Sequence, residues 1–448
     1  MALTDADKAE LLKADAQAVE AALAQLKPNL AGGAWLDAHN PYRRDYGAAL
    51  RSSTGPSVIA HSELAQFIAA SSVIHCADGW SYLGRALNCH TRGDSGAASH
   101  LAYYAELRAG LAILANQGIG IFNHKHFIVD SVGTCRPIPN TSGTHQMVWW
   151  VLEHWAAKPQ SAVVIGTIVA PAGVPLSDWL IAFGGQPRLT SYASTRLAQW
   201  GLDLKRMSTD RESRNLLSYG PTSLTPRRTL DVVTCSDFIC DVWRLCQPSV
   251  ACRFELLDRH LLRANLHGVY RDAMTPGQTG TPATTSYSAR VRKTLAALPL
   301  DSFQARTMES FLTTDPGQQP LIIQYASGRA TPEDSKHQME VIARAVLLLR
   351  IATGMAAQSL RTTPISAADL EFWWKSMGRD RALWETGQDP EEPLELWDDI
   401  DLALIDADTW SHKNAGTNVS GSRWCTEQAA TISTLQGCER IALWGLGL

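Results

Sequence analysis

The stretch that decides the fold is residues 62–116, SELAQFIAASSVIHCADGWSYLGRALNCHTRGDSGAASHLAYYAELRAGLAILAN. Apolar residues recur at helical spacing from Ser62 to His90 and again from Ala97 to Asn116. The segment between them, TRGD at 91–94, is short and polar. A short polar turn between two long helices predicts an antiparallel helical pair. The sequence therefore predicts a mainly α protein that contains a helical bundle.

A small β insertion follows this pair. Residues 118–130 are apolar and rich in β-branched and aromatic side chains on both sides of the polar tip Asn123–Lys125. This pattern predicts a hairpin between Ile119–Phe122 and Phe127–Val129. Single helices are predicted elsewhere from periodicity and from Pro and Gly turns, over 5–26, 144–157, 176–184, 190–218, 228–246, 253–272, 290–297, 301–313, 333–361, 366–377 and 424–445.

Composition changes once along the chain in a way that indicates a domain boundary. Residues 275–289, TPGQTGTPATTSYSA, are rich in Thr, Gly and Pro and contain no charge before Arg290, so they read as a linker. We therefore predict an N-terminal helical domain at 1–274 and a second helical domain at 290–448. Within the second, residues 385–408 hold ten acids and no Lys or Arg, which predicts a solvated acidic face or loop.

The overall composition excludes several classes of protein. Of 448 residues, 45% are hydrophobic and 19% charged, which is typical of a globular chain. The net charge of −4 argues against a surface built entirely for nucleic acid, although a local basic patch remains compatible with it. Nine scattered cysteines indicate reduced, buried thiols rather than a disulfide framework.

Two observations predict a cytoplasmic protein that does not cross a membrane. The first residues, MALTDADKAELLKADAQ, carry acids and lysines where a secretory signal needs a basic tip and an apolar run. The longest uncharged stretch, Pro159–Ser177, is slightly short for a spanning helix and is interrupted by Pro171 and Pro175.

The strongest candidate for a functional site is residues 205–219, KRMSTDRESRNLLSY. A predicted helix here gathers four cations, and this charge pattern favours a polyanion such as RNA. The alternative is a surface helix whose charges pair locally, for example Asp210 with Arg214 one turn later. The four candidate nucleic-acid-binding residues are Lys205, Arg206, Arg211 and Arg214.

Together with the helical pair, and with SHLAYYAELRAGLAILA at 99–115 in particular, this segment resembles the HEPN superfamily of helical bundles over residues 57–220. The resemblance implies that Arg214 binds a scissile phosphate, with Asn215 as the polar residue beside it and Tyr219 where the family has a histidine. It also implies a homodimer with facing motifs and a metal-independent endoribonuclease in bacterial stress response or phage defence.

The departure at Tyr219 leaves the activity open. In metal-independent RNA cleavage a base takes the proton of the attacking 2′-hydroxyl, and a cation stabilises the charge on the phosphate. A tyrosine with an ordinary pKa of about 10 is a poor base at neutral pH. A binding site without catalysis therefore fits as well. The runner-up catalytic pair is Arg85 with His90, which has the family spacing, but Ala86 follows the arginine.

A non-catalytic scaffold or interaction subunit is the alternative function. It is supported by the tryptophan-rich helices, the acidic 385–408 segment and the missing histidine. The scaffold function requires a protein partner, whereas the RNA-binding or ribonuclease function requires RNA.

Metal and cofactor chemistry are not predicted. The four histidines that invite a metal site have no carboxylate or cysteine at a diagnostic spacing; they are His124, His126, His145 and His154. Phosphate-loop and dinucleotide fingerprints are not found in the sequence, so we expect neither nucleotide nor nicotinamide cofactors.

Overall fold

The computed structural model describes residues 2–52, 60–184, 193–219, 231–249, 253–274, 286–314, 319–331, 334, 336–385 and 387–448. Through these ranges the chain is mainly helical and carries a small antiparallel sheet of three strands. The predicted class, mainly α with a small β insertion, is confirmed.

The first part of the chain contains helices, a sheet and further helices in that order. The bounds are α1 (Asp5–Leu11), α2 (Ala16–Ala24), α3 (Lys27–Ala31), α4 (Tyr42–Ser52), α5 (His61–Thr91), α6 (Ser95–Asn116), β1 (Ile119–Ile121), β2 (His126–Val129), β3 (Cys135–Ile138), α7 (Thr144–Ala156), α8 (Pro159–Ile168), α9 (Leu176–Ala182), α10 (Ala193–Gln199), α11 (Leu204–Tyr219), α12 (Val232–Leu245) and α13 (Glu255–Met274).

The second part consists of helices and connecting loops, with no strand in its described ranges. The bounds are α14 (Tyr287–Ala297), α15 (Ser302–Thr313), α16 (Leu321–Ala326), α17 (His337–Thr362), α18 (Glu371–Asp380), α19 (Leu396–Lys413), α20 (Gly421–Glu427), α21 (Ala429–Leu435) and α22 (Glu439–Leu446). Short 3-10 turns lie before α18 and α19 and between α8 and α9, at Ala368–Leu370, Pro393–Glu395 and Pro171–Gly173.

The predicted antiparallel pair forms the centre of the fold. α5 and α6 pack along their lengths, and α17 packs against both. Gly93 turns the chain with a φ of +71°, and the Asp94 side chain accepts a hydrogen bond from Ala97 N–H at 3.0 Å, which caps α6. Most residues of α17 are buried, as expected for a helix enclosed on all sides.

The predicted hairpin is confirmed, and the sheet has one strand more than predicted. β1 and β2 pair in register with Gly120 opposite Phe127. His124 occupies the tip with a φ of +61°. β3 pairs with β2 and includes Pro137. Proline is tolerated at a sheet edge, where β3 lies.

Three predicted helices are wrong as single helices, because each is divided. Residues 5–26 form α1 and α2, since Asp15 caps α2 through Ala18 N–H and donates its own N–H to Val129 of the sheet. Residues 190–218 break at Gly201, whose φ is +88°. Residues 424–445 are divided among α20, α21 and α22.

The acidic segment is partly helical. α19 begins within 385–408, which the sequence left as a face or a loop, and its acids lie mainly on the exposed side. The helices α8 and α16 were not predicted at all, because apolar residues surround them on more than one face and leave no amphipathic stripe.

The predicted linker, 275–289, lies mostly outside the described residues, so the domain boundary stays a prediction. Helices from both sides of it contribute to one continuous hydrophobic core. Of the described helices, each is too short or insufficiently apolar to cross a membrane.

Candidate nucleic-acid interface

Two tyrosines meet on the outer side of the central helical pair. Tyr82 of α5 and Tyr104 of α6 lie at equal distances along the chain from Gly93, so the antiparallel pairing places them opposite each other. Their rings stack with centroids 5.4 Å apart and an angle of 24° between planes. Both side chains are half-buried, which leaves part of each ring accessible.

Arginines lie at both ends of this tyrosine pair. The Arg85 guanidinium is 5.5 Å from the Tyr82 ring centroid, and the Arg108 guanidinium is 5.9 Å from the same centroid. At the other end, the Arg214 guanidinium is 5.6 Å from the centroid of Tyr104. Cation–π attraction holds guanidinium groups at such distances. The sequence candidates Arg85 and Arg214 are thus brought onto one surface.

Arg214 is largely buried, with 9% of its surface exposed. Besides Tyr104 it contacts the ring of Tyr103, at 5.4 Å, and its Nη2 is 3.4 Å from both ring nitrogens of His145. His145 is in the first turn of α7 and is half-buried. The structure therefore places an imidazole beside Arg214 that the sequence motif lacked.

A hydrogen-bond chain fixes the orientation of His145. Its Nδ1 is 3.0 Å from the Tyr103 hydroxyl, which also accepts a hydrogen bond from the indole N–H of Trp149 at 3.4 Å. Burial, followed by the charges of Arg214, Arg211 and His100, lowers the pKa of His145 to about 4. The imidazole is therefore neutral at pH 7, and its unprotonated ring nitrogen faces the Arg214 guanidinium as a hydrogen-bond acceptor.

We call this surface the Tyr–Arg strip and define it by Arg85, Tyr82, Arg108, Tyr104, Arg214 and His145. The stacked pair of tyrosine rings lies at its centre, with guanidinium groups at both ends. Single-stranded nucleic acids bind such surfaces because bases stack on aromatic rings while cations contact the backbone phosphates. His100 lies beside the strip, with its ring 5.1 Å from that of Tyr104.

A buried ion cluster behind the strip holds α11 against α6 and α17. Arg344 of α17 is fully buried and donates to both carboxylate oxygens of Asp210 at 2.8 to 3.1 Å. Glu106 of α6 lies 3.6 Å from the same guanidinium, and burial raises its pKa well above the ordinary value. Asp210 is one turn before Arg214, so this cluster sets the position of Arg214.

The other cations of the 205–219 segment have separate surroundings. Lys205 is exposed, with Nζ 3.9 Å from Glu153. Arg206 donates to the Ala330 carbonyl at 3.0 Å and lies 3.6 Å from Glu340, so it supports the interior. Arg211 lies 3.4 Å from Glu212. The four cations therefore do not form one exposed basic face. Asp210, which the sequence suggested as a local partner of Arg214, accepts hydrogen bonds from Arg344 of α17.

The remaining catalytic candidates are not gathered at one place. Asn215 is exposed on α11, and the side chain of Tyr219 lies outside the described residues. His90 is 3% exposed and packs against Phe238, whereas Arg85 is exposed on the Tyr–Arg strip. A spacing of five residues puts the two on different faces of α5.

The four histidines considered for a metal have other roles. His124 Nδ1 is 2.8 Å from the Thr141 carbonyl and His126 Nε2 is 3.0 Å from the Ser142 carbonyl, so both fasten the loop that follows β3. His145 contacts Tyr103 and Arg214, and His154 is at the end of α7. Within the described ranges no three His, Cys, Asp or Glu side chains converge to hold a metal ion.

Comparison with known proteins adds no relative. No protein-family description, no curated protein and no solved structure matches the chain. The case for the site therefore depends on its geometry. The sequence identified part of it, through the charged 205–219 segment and the candidate Arg85, whereas nothing near Arg214 in the sequence indicated His145.

Proposed function

We propose that the protein binds single-stranded RNA along the Tyr–Arg strip and cleaves it at Arg214 without a metal ion. The observation that carries the proposal is the contact between the Arg214 guanidinium and the neutral imidazole of His145, at 3.4 Å. A cation and a base side by side are the two groups that cleavage by the 2′-hydroxyl requires. Arg214 keeps the phosphate-binding role expected for it, and His145 takes the role of the family histidine whose position Tyr219 occupies.

In the proposed reaction, His145 Nε2 accepts the proton of the ribose 2′-hydroxyl. The 2′-oxygen forms a bond to the adjacent phosphorus, the bond from phosphorus to the 5′-oxygen breaks, and that oxygen takes a proton from solvent. The products are a 2′,3′-cyclic phosphate and a 5′-hydroxyl. This role requires the tautomer in which Nδ1–H donates to the Tyr103 hydroxyl, which is 3.0 Å away. Arg214 stabilises the charge that grows on the phosphoryl oxygens.

Substrate binding would improve His145 as a base. In the free protein its low pKa comes first from burial and then from neighbouring positive charges, with Arg214 the largest of these. A bound phosphate places negative charge beside Arg214 and offsets that repulsion. The pKa of His145 then rises from about 4 towards its ordinary value, and a base of higher pKa accepts a proton more readily.

Both catalytic groups belong to one chain, so the proposal does not depend on a dimer. The homodimer, the HEPN-like relationship and the role in stress response or phage defence stay predictions. They follow from the resemblance alone.

The proposal is tested with a fluorescent single-stranded RNA in EDTA and with the DNA of the same sequence. We expect both to bind and only RNA to be cut, because DNA lacks the 2′-hydroxyl, and we expect cyclic-phosphate ends on the product. Tyr104→Leu should weaken binding roughly 5- to 150-fold, the range for losing one stacked base. Arg292→Gln, on the exposed surface of α14, is the control and should change neither RNA binding nor RNA cleavage.

The outcomes separate binding from catalysis. RNA that binds but stays intact would limit the function to binding. If the wild type and Tyr104→Leu have the same weak affinity, the Tyr–Arg strip is not an RNA site and the proposal is wrong.

One observation favours the second candidate, an interaction subunit. Leu402 and Ile405 on α19 are 68% and 57% exposed. Acidic side chains surround them, and several of these make no ion pair within the described residues: Glu391, Glu395, Asp398 and Asp401. Apolar side chains surrounded by acids fit a basic amphipathic helix of a partner protein. We expect Leu402→Lys to lower the affinity for a lysine- and leucine-rich amphipathic peptide, measured by calorimetry, and Leu12→Lys at another exposed leucine to leave it unchanged. Equal affinities would remove this candidate.

A further inference from the structure

An open groove adjoins the Tyr–Arg strip. It lies between α5 and α18 and has a volume of about 380 Å³, within the range of sites that bind small molecules. Its walls are mainly apolar and include the aromatic rings of Phe372 and Trp373 and the side chain of Met377. Trp35 packs edge-on against both rings, with centroids at 6.5 and 5.2 Å, and so fixes the aromatic wall.

Two carboxylates line the groove, the exposed Asp380 and the half-buried Asp78, and Asp78 has acceptor positions that the described residues leave unused. The Asp78 side chain is 36% exposed, and its ion partner is Arg108, at 3.5 Å. Among the described residues, none donates a hydrogen bond to it. Burial raises the pKa of Asp78, while Arg108, Arg381 and Arg85 oppose that rise and favour the charged form. A ligand that donates hydrogen bonds would satisfy this carboxylate.

Arg108 links the strip to Asp78 of the groove. Its guanidinium contacts Asp78 on one side and the ring of Tyr82 on the other. Arg381, at the edge of the groove, is already bonded to Ser81 and to Glu439, so it adds no free cation. An RNA strand stacked on Tyr82 could therefore place its next base in the groove, against the aromatic wall.

From this geometry we infer that the groove binds an unpaired guanine base, with Trp373 and Phe372 contacting its face and Asp78 accepting its N1–H and N2–H. Guanine is the one RNA base with two adjacent donors on its Watson–Crick edge, and a carboxylate accepts two parallel N–H groups. Adenine and cytosine place an acceptor nitrogen beside the donor, and uracil places a carbonyl on each side of its N3–H, so each would bring an acceptor against the carboxylate. The inference rests on the proposed function and adds base specificity to it.

The test compares uridine-rich 2′-O-methyl RNAs that carry one central guanosine, inosine or adenosine, by fluorescence anisotropy, because the 2′-O-methyl group blocks the proposed cleavage. Inosine is guanosine without the N2 amino group, so it removes one donor and keeps the shape. We expect guanine to bind roughly 5- to 150-fold more tightly than inosine or adenine, the range for one bidentate base contact. Asp78→Asn should remove the preference, because an amide offers one acceptor and one donor. Asp272→Asn, an exposed aspartate at the end of α13, is the matched control.

A second arm, with free guanosine and free inosine, separates this inference from the proposed function. Quenching of tryptophan fluorescence by guanosine, weaker with inosine and lost in Asp78→Asn, supports guanine binding in the groove even if RNA does not bind the strip. RNA binding with equal affinity for the three oligonucleotides overturns the guanine site and leaves the proposed function standing. If Asp78→Asn does not fold, the comparison of guanosine with inosine on the wild-type protein decides whether the groove recognises guanine.

Discussion

Arg344→Met should lower the free energy of unfolding by about 3–5 kcal/mol, the range for removing one partner of a buried ion pair. Arg344 is fully buried and donates to both oxygens of Asp210, which is itself 2% exposed. Methionine fills similar space without a positive charge, so the Asp210 carboxylate would remain buried without its cation. A loss of this size is a large fraction of the 5–15 kcal/mol that stabilises a typical domain.

The measurement is urea unfolding followed by tryptophan fluorescence, with a double variant that isolates the ion pair. Arg344→Met with Asp210→Leu removes both charges, and replacing a buried pair by apolar residues is often neutral. We expect the double variant to recover roughly half of the loss or more. Arg423→Gln breaks an exposed pair with Glu427 and should cost less than about 1 kcal/mol. Equal stability of Arg344→Met and Arg423→Gln would contradict the role assigned to the cluster.

The substitution Arg344→Met should also weaken RNA binding at the Tyr–Arg strip. Asp210 and Arg214 are one turn apart on α11, and Arg344 of α17 links this turn to Glu106 of α6. A variant that stays folded but loses this contact allows α11 to shift, and Arg214 then no longer faces Tyr103 and Tyr104. We therefore expect weaker RNA binding in Arg344→Met even at temperatures where the protein remains folded.

The sequence predicted the centre of the fold because its signals are local. The helical spacing of 62–90 and 97–116, and the polar turn between them, determine α5 and α6 without knowledge of any partner. The hairpin at 119–129 follows in the same way from the apolar, β-prone residues on both sides of its polar tip. The predictions of single long helices were wrong where one residue interrupted a regular helical pattern. Asp15 both caps α2 and pairs with the sheet, and that pairing involves residues more than a hundred positions away.

The candidate site was only half predictable for a similar reason. Arg214 was identified from the charges near it in the sequence, but its neighbours Tyr103 and His145 come from α6 and α7. Their meeting depends on how three helices pack, and helical periodicity does not specify which helices become neighbours. The buried Arg344, placed in a helix that periodicity marks as apolar, gave no sign in the sequence that it would fix α11.

His145→Ala should reduce the rate of RNA cleavage by roughly 10²- to 10⁴-fold, the contribution of a general base, with little change in RNA affinity. The imidazole is proposed to accept the 2′-hydroxyl proton, whereas affinity comes from the arginines and tyrosines of the strip. His154→Ala, near the other end of α7, is the matched control and should cut RNA at the wild-type rate. Near-ultraviolet circular dichroism of both variants checks that packing around the tryptophans is kept.

The pH profile provides a second measure of the same role. A base must be neutral to act, so cleavage should fall as pH falls through the pKa of His145. The value of kcat/KM reports the free protein and should decline near pH 4, because the pKa of His145 is about 4 there. The value of kcat reports the RNA complex and should decline at higher pH, because bound phosphate offsets the charge of Arg214 and raises that pKa. Cleavage by His145→Ala with the wild-type rate and profile would exclude His145 as the base.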